Sequence, residues 1–420
     1  MRRIDLFRVV AARFLSRVGS EAAFFVGVWG KAAFDLDATA GDLAVLMFAL
    51  SVALLIGSAV SGVLIDRYGP RVVLAVAEVI FVPAALAFIW VDTMPALIAV
   101  GTVWALVGAP VMTAGATFAP YLTERPEELK RVNSLLDGAG SLSFVVGPAI
   151  GALIVRYANV DWVFIIDAVT SLAAAIIVWR AHLVRSPAPR PAGERTRAVA
   201  ELVDGMRTAY RIRALRYYVL AGTVVWLSFG AFGVLEPLFF RDVVLADIET
   251  LGWVNMVFGM GMLIGAAMLP RLRTSVISAR GLAVTVALSG FGSIIYVGTA
   301  DMRVVYLGAL VWGSVIGLLE PLLRTLIHRD SPPESVGRVI GTAETHRRFG
   351  ELLPLTIAPA VAGVLGVQGT MIAGALFASA IALLSLGEAR GIDRELGERP
   401  VPEEDLHTIT AAEEPVSPLP

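Results

Sequence analysis

The sequence has no cysteine, which excludes structural disulfides and thiolate metal sites. Histidine is nearly as scarce: there are four in 420 residues, none in an HExxH-like spacing, so metal catalysis has no ligands to build on. Charge is thin as well. Asp, Glu, Lys and Arg make up 17% of the chain, where a soluble protein carries about 25%. No GxxxxGK[ST] phosphate loop occurs, which argues against ATP drive, and no nucleophile with a placed base suggests an enzyme. The net charge of -2 is uninformative as a total, since in a membrane protein the distribution of Lys and Arg between loops carries the meaning, and nothing suggests nucleic acid as a partner. What the chain does have is apolar residues, at 57% hydrophobic with a mean hydropathy of +0.75. That balance describes a polytopic membrane protein in contact with a lipid bilayer.

The opening MRRIDLFRVVAARFLSRVGSEAAFF begins like a secretory signal, but Arg8, Arg13, Arg17 and Glu21 interrupt its apolar core and no small-residue cleavage site follows. It reads as a retained first span. A bilayer-crossing helix needs about 20 mostly apolar residues. Twelve stretches qualify: 9–32, 41–65, 72–92, 95–119, 135–156, 161–182, 215–240, 250–270, 279–299, 304–327, 339–366 and 369–388. The loops on one side hold Arg67, Arg71, Lys130, Arg131, Arg273 and Arg338, while those on the other carry few basic residues. By the positive-inside rule both termini are expected in the cytoplasm.

Composition divides the chain into a six-helix bundle over 1–183, a linker over 184–214, a second six-helix bundle over 215–388, and an acidic, proline-containing tail over 389–420 that reads as disordered. The linker opens with SPAPRPAG and continues into an amphipathic helix, with Val199, Leu202, Val203, Met206 and Tyr210 on one face for the inner leaflet. The halves are related by a repeat. PEELKRV (126–132) matches PPESVGRV (332–339), and this register pairs Asp137 with Glu344.

The stretch GVLIDRYGPRVVL (62–74) closely resembles the G-x-L-x-D-R-x-G-R-R loop signature of the major facilitator superfamily, with Gly62, Leu64, Asp66, Arg67, Gly69 and Arg71 in place and Pro70 where a basic residue is usual. In that family the loop is a conformational latch, in which Arg67 and Arg71 are expected to hold carboxylates. GPAIGA (147–152) is similar to the family's antiporter signature G-P-x-x-G-G, through Gly147, Pro148 and Gly151, with Ala152 replacing the last glycine. FIIDAVTSL and EPLFFRDVVLA resemble the branch that includes macrolide-efflux and enterobactin-exporter proteins. The resemblance implies an all-α membrane protein of twelve transmembrane helices in two pseudo-symmetric six-helix bundles. It further implies a proton-coupled exporter of a bulky amphipathic small molecule such as a drug or antibiotic, working by alternating access in a bacterial cytoplasmic membrane. The chain is expected to act as a monomer without a cofactor, and acids on cavity helices favour a cationic substrate, although proton coupling alone would also account for them. A siderophore or lysophospholipid carrier on the same fold, or a non-transporting sensor or scaffold, are the alternatives.

Two near copies, GVLEPLFF (233–240) and GLLEPLLR (317–324), place Glu236 and Glu320 before prolines within apolar runs. A charge at mid-bilayer costs at least about 2.5 kcal/mol. In the superfamily, spans one, four, seven and ten line the central cavity, so Glu21, Glu236 and Glu320 become candidates for proton coupling or substrate binding. Pairing with Arg13, Arg17 or Arg324 is the structural alternative, strongest for Glu21, which follows Arg17 by one turn. Glu344, Arg347, Arg348 and Glu351 share one helix face and are expected, with Asp137, to form a salt-bridge network between the halves. Glu78 and Asp167 lie on peripheral spans and read as structural. Trp29, Trp104, Met112, Thr113, Thr117, Trp226, Phe229, Phe232, Asn255 and Trp312 are candidate surface for an amphipathic solute, with helix-core packing or an interfacial belt as the equal alternative for most of them.

Overall fold

The computed structural model describes residues 3–123, 125–183 and 195–397. The proline-rich start of the linker and the tail beyond 397 lie outside the described residues. Among the described residues, ten helices are long and apolar enough to cross a membrane. One of them, Val336–Leu384, is two spans, because Gly366 breaks it with φ 73°, ψ 170°, a conformation that favours glycine. The first helix, Arg3–Ala22, continues through π-helical turns at Ala23–Val28 and Gly30–Asp35. Its charges keep it out of a count based on apolarity, yet it packs against spans five and six, which completes the expected twelve.

The remaining spans are Ala40–Tyr68, Pro70–Leu86, Met94–Ala116, Pro126–Tyr157, Asp161–Trp179, the interrupted seventh (Arg213–Phe229, Phe232–Leu238 and π-helical Phe239–Val244), Ile248–Met268, Ala279–Val297 and Met302–Asp330. Their ends follow local chemistry. Span two starts in a capping box, where the Thr39 hydroxyl accepts from the Asp42 N–H and the Asp42 carboxylate accepts from the Thr39 N–H at 2.9 Å. It stops at Gly69, whose φ of 81° puts it in the region only glycine adopts freely. Pro70 then opens span three in its first turn, where its missing N–H costs nothing. This accounts for the proline that departs from the loop signature.

Within each half, small residues bring helices together, as expected where lipid gives no hydrophobic drive to helix association. Span two meets span four at Gly57, where an added Cβ would lie 2.7 Å from the Leu106 carbonyl. Spans eight and ten, the repeat-related pair, interlock two GxxxG faces: Gly261 and Gly265 against Leu310 and Ser314, and Gly313 and Gly317 against Phe258 and Met262.

The linker helix Arg195–Arg211 packs on span eleven, with Gly205 against the Arg338 backbone and Asp204 ion-paired to Arg338. Val203, Met206 and Tyr210 remain exposed. After span twelve, Leu386–Gly397 forms a helix, which corrects the expected disorder for residues 389–397. Ala389 and Ile392 are buried one turn apart. The Asp393 carboxylate accepts from the Ala279 N–H at 2.8 Å and from Arg280 Nε at 2.7 Å, capping the start of span nine.

Two apolar cores result. The larger runs through the second half and crosses into the first around Val26, Trp29, Leu43 and Leu46. The smaller, around Leu6, Val9, Ile65, Val73, Leu122 and Val178, fills the first half at the end of the bundle bearing the basic loops.

Candidate functional site

The contacts that join the halves gather at the end away from the basic loops. Arg241 of span seven donates to the carbonyls of Ala33 (2.8 Å) and Ala38 (3.1 Å) at the end of span one. Arg156 of span five pairs with Glu249 of span eight at 3.4 Å. Between them lies a seam of small residues. Gly147 and Gly151 of span five sit against Glu21, Val18, Ala22 and Val26 of span one, and Gly252 of span eight sits against Ala152, the Pro148 carbonyl and Val26. The GPAIGA stretch is therefore the surface on which spans one, five and eight meet. At the basic end, a Cβ on Gly138, Gly337 or Gly341 would meet nothing within 4 Å. Among the described residues the hydrogen bonds and the ion pair between the halves lie at one end, and none is found at the basic end, where these glycines of spans five and eleven face open space.

The three acids singled out in the sequence have different partners. Glu21 is buried and ion-paired with Arg17, the pairing that the structural alternative describes. Glu236 is half-buried and accepts a hydrogen bond from Tyr296 of span nine, with no arginine involved. Beside it Trp312 stacks with Tyr296 at 5.5 Å and touches Phe229 (5.1 Å), Phe232 (4.9 Å) and Phe258 (4.9 Å). The Trp312 Nε1–H is buried without an acceptor, an available donor within an aromatic cluster. Glu320, also half-buried, accepts from Trp226 Nε1 at 3.2 Å. Arg347 lies over that same indole at 5.1 Å.

Residues 9–354 match the family model of the Major Facilitator Superfamily. The chain belongs to the major facilitator superfamily. It is 24% identical over 380 residues to the multidrug efflux pump Tap of Mycobacterium tuberculosis (strain ATCC 25618 / H37Rv), covering 88% of this chain and 90% of Tap. To the MFS-type transporter YfiS of Bacillus subtilis (strain 168) it is 23% identical over 373 residues, covering 86% of this chain and 88% of YfiS. Its fold superposes on a point mutant of the nucleoside transporter NupG with a TM-score of 0.75 at 12% identity, covering 91% of this chain and 99% of NupG. Superfamily membership makes this a multi-pass membrane transporter and not an enzyme.

The superfamily loop between spans two and three is formed as follows. Gly62 faces open space, Gly69 makes the turn, and Arg67 lies over Tyr68 at 5.2 Å. Arg71, expected to hold a carboxylate, donates to the Ala181 carbonyl at 3.0 Å and lies over Trp179 at 5.9 Å, tying the loop to the end of span six. Asp66, also of this loop, has a partner. The expected network forms in part: Arg347 pairs with Glu344 and Glu351, and Arg348 pairs with Glu344 at 3.3 Å and Glu351 at 3.4 Å. It sits inside the second half, where spans seven, ten and eleven meet. Asp137 makes none of these ion pairs, and its charge acts on Arg13 of span one. The two repeat-related positions belong to different halves at the basic end, which is why they are not joined. Nothing in the sequence hinted at Tyr296 as partner to Glu236, since 60 residues separate them and Tyr296 lies in an otherwise apolar run.

Proposed function

We propose that this superfamily member is a proton-coupled exporter of bulky, amphipathic, cationic small molecules of the drug or antibiotic kind. In this reading the bundles over 1–183 and 215–388 rock about the spans one, five and eight seam, and the basic end faces the cytoplasm. The observation that carries it is the asymmetry of the two ends: a seam of small residues and a few polar clasps on one side, glycines facing open space and helices bearing Glu320, Glu344, Arg347 and Glu351 on the other. A carrier caught open toward one compartment has this form, and a mouth that holds Glu320, Glu344 and Glu351 near the Trp226 indole suits a solute with an apolar body and a positive group. The relationship to Tap supports the substrate class. Glu236 and Glu320 are the proton-coupling and cation-binding candidates, and Gly62, Asp66, Arg67, Gly69 and Arg71 form the latch that re-forms in each cycle.

The test is efflux of preloaded ethidium from cells expressing the wild type, with and without a protonophore, beside Glu236→Gln and Glu320→Gln at matched membrane abundance. Protonophore-sensitive efflux lost in either variant supports the reading. Absence of wild-type efflux refutes the substrate class, and unimpaired efflux in both variants removes these acids from the cycle.

A further inference from the structure

Deep in the first half, away from the seam, two carboxylates are buried together, and among the described residues no cation pairs with either. Glu78 of span three is 1% exposed and Asp167 of span six is fully buried. Span one presses onto them through Gly19, whose added Cβ would lie 2.9 Å from Asp167 Cα. The two acids are surrounded differently. Each oxygen of Asp167 receives a donor: Oδ1 from the Ser20 hydroxyl at 3.1 Å, Oδ2 from Trp104 Nε1 at 3.2 Å. Glu78 stands beside Ser16 and Ser171, yet its Oε2 and the Ser171 Oγ are both buried without a partner in hydrogen-bonding geometry.

The charged groups on the packed elements are engaged elsewhere. Arg17 holds Glu21, Arg13 lies against Gly115 and faces Asp137, and Arg71 holds the Ala181 carbonyl. The charge that acts on Glu78 is that of Asp167. Burying even one unpaired carboxylate costs several kcal/mol, and two like charges in one water-excluded site cannot both persist, so the second acid can ionise only when water enters. A carboxylate needs donors on both oxygens, which Asp167 has. A carboxylic acid needs an acceptor for its own O–H, and the unpartnered Ser171 Oγ beside the unpartnered Glu78 Oε2 is such an acceptor.

We propose that Glu78 is a proton-carrying site of the transport cycle, neutral in the state described, with Asp167 as its fixed anionic neighbour. Its proton is released when span one moves: the Oε2–H bond breaks, the proton passes to water admitted alongside Ser16 and Ser20, and the resulting carboxylate is held by the hydroxyls of Ser16 and Ser171. Because Ser16, Gly19 and Ser20 lie on the turns of span one that lead to Glu21 and the inter-half seam, loading this site and opening the halves are mechanically linked. The inference takes proton coupling from the function proposed above and places the proton in the first half, apart from Glu236 and Glu320.

Two measurements on the purified full-length protein decide it. Infrared difference spectra of wild type against Glu78→Gln are expected to show loss of a protonated-carboxyl C=O band, and wild type against Asp167→Asn is expected to show loss of a carboxylate band. This arm needs no substrate, so it stands even if ethidium is not exported. In proteoliposomes, Glu78→Gln is expected to keep ethidium counterflow, which needs no proton, and to lose accumulation driven by a pH gradient. Ser171→Ala is expected to shift the Glu78 band without abolishing it, and reports on the site if Glu78→Gln folds poorly. An unchanged protonated-carboxyl band in Glu78→Gln overturns the proposal. So does gradient-driven accumulation equal to wild type, and so does loss of counterflow together with driven transport, which marks a structural role.

Discussion

Enlarging Gly252 tests whether the seam sets the conformational balance. An added Cβ there would sit 2.9 Å from Ala152 Cβ and 3.0 Å from both the Pro148 carbonyl and Val26 Cγ2. Gly252→Leu therefore overfills a three-helix junction in the state closed at this end, at a cost of about 1–3 kcal/mol. The same side chain is relieved once the halves separate there, so the full cost bears on the equilibrium. At about 1.4 kcal/mol per factor of ten, the population open at this end rises roughly 5- to 150-fold. Since the natural chain has no cysteine, Ala33→Cys introduces a single thiol, at a fully buried position whose carbonyl takes part in the clasp to Arg241. Its rate of labelling by a hydrophilic maleimide follows the open population, and is expected to rise by that factor in Gly252→Leu. Gly363→Leu, where the added side chain meets open space, is expected to leave the rate unchanged. An unaltered labelling rate in folded Gly252→Leu would refute the claim that this junction is what closes the halves.

Tyr296→Phe leaves the Glu236 carboxylate without its donor, and thermal denaturation is expected to show a loss of about 1–3 kcal/mol, less than additive with Glu236→Gln. Gly265→Ala drives a Cβ into the Ser314 carbonyl and forces spans eight and ten apart, so a destabilisation of about 1–3 kcal/mol is expected, against no measurable change for Gly387→Ala. Asp5 lies ahead of the apolar part of span one. Burial pushes its carboxyl up, but the His182 backbone N–H and the Arg8 guanidinium outweigh this and hold it below the usual carboxylate range. Its contribution is therefore present above the ordinary value of about 3.9 and lost as pH falls through the lowered one. An acid titration of stability should show that loss in wild type and not in Asp5→Asn.

The spans were legible because each bilayer crossing imposes a length and an apolarity that few other structures share. The first was legible only through its position, its charges being satisfied internally by pairs such as Arg17 with Glu21. Local ion pairs were readable too, since Glu344, Arg347, Arg348 and Glu351 lie within two turns. Contacts between spans distant in sequence were not. Tyr296 meets Glu236, Trp226 meets Glu320, and Glu78 shares a pocket with Asp167 only because of how helices are arranged around one another, which hydropathy does not encode. The terminal helix was missed because its composition is that of a solvated tail, and its order depends on Asp393 reaching the start of span nine.

The polar clasp at the closed end has an implication for where this protein works. The Arg156 side chain is 56% exposed and that of Glu249 is 23% exposed, so their attraction is diluted by water and contributes about 1 kcal/mol or less. Mobile ions within a Debye length of about 8 Å at physiological salt weaken it further. The tightness of this end is then set partly by the medium that bathes it: a dilute environment favours the closed form and a saline one loosens it. The carrier's resting posture would thus vary with its surroundings before any solute or proton has bound.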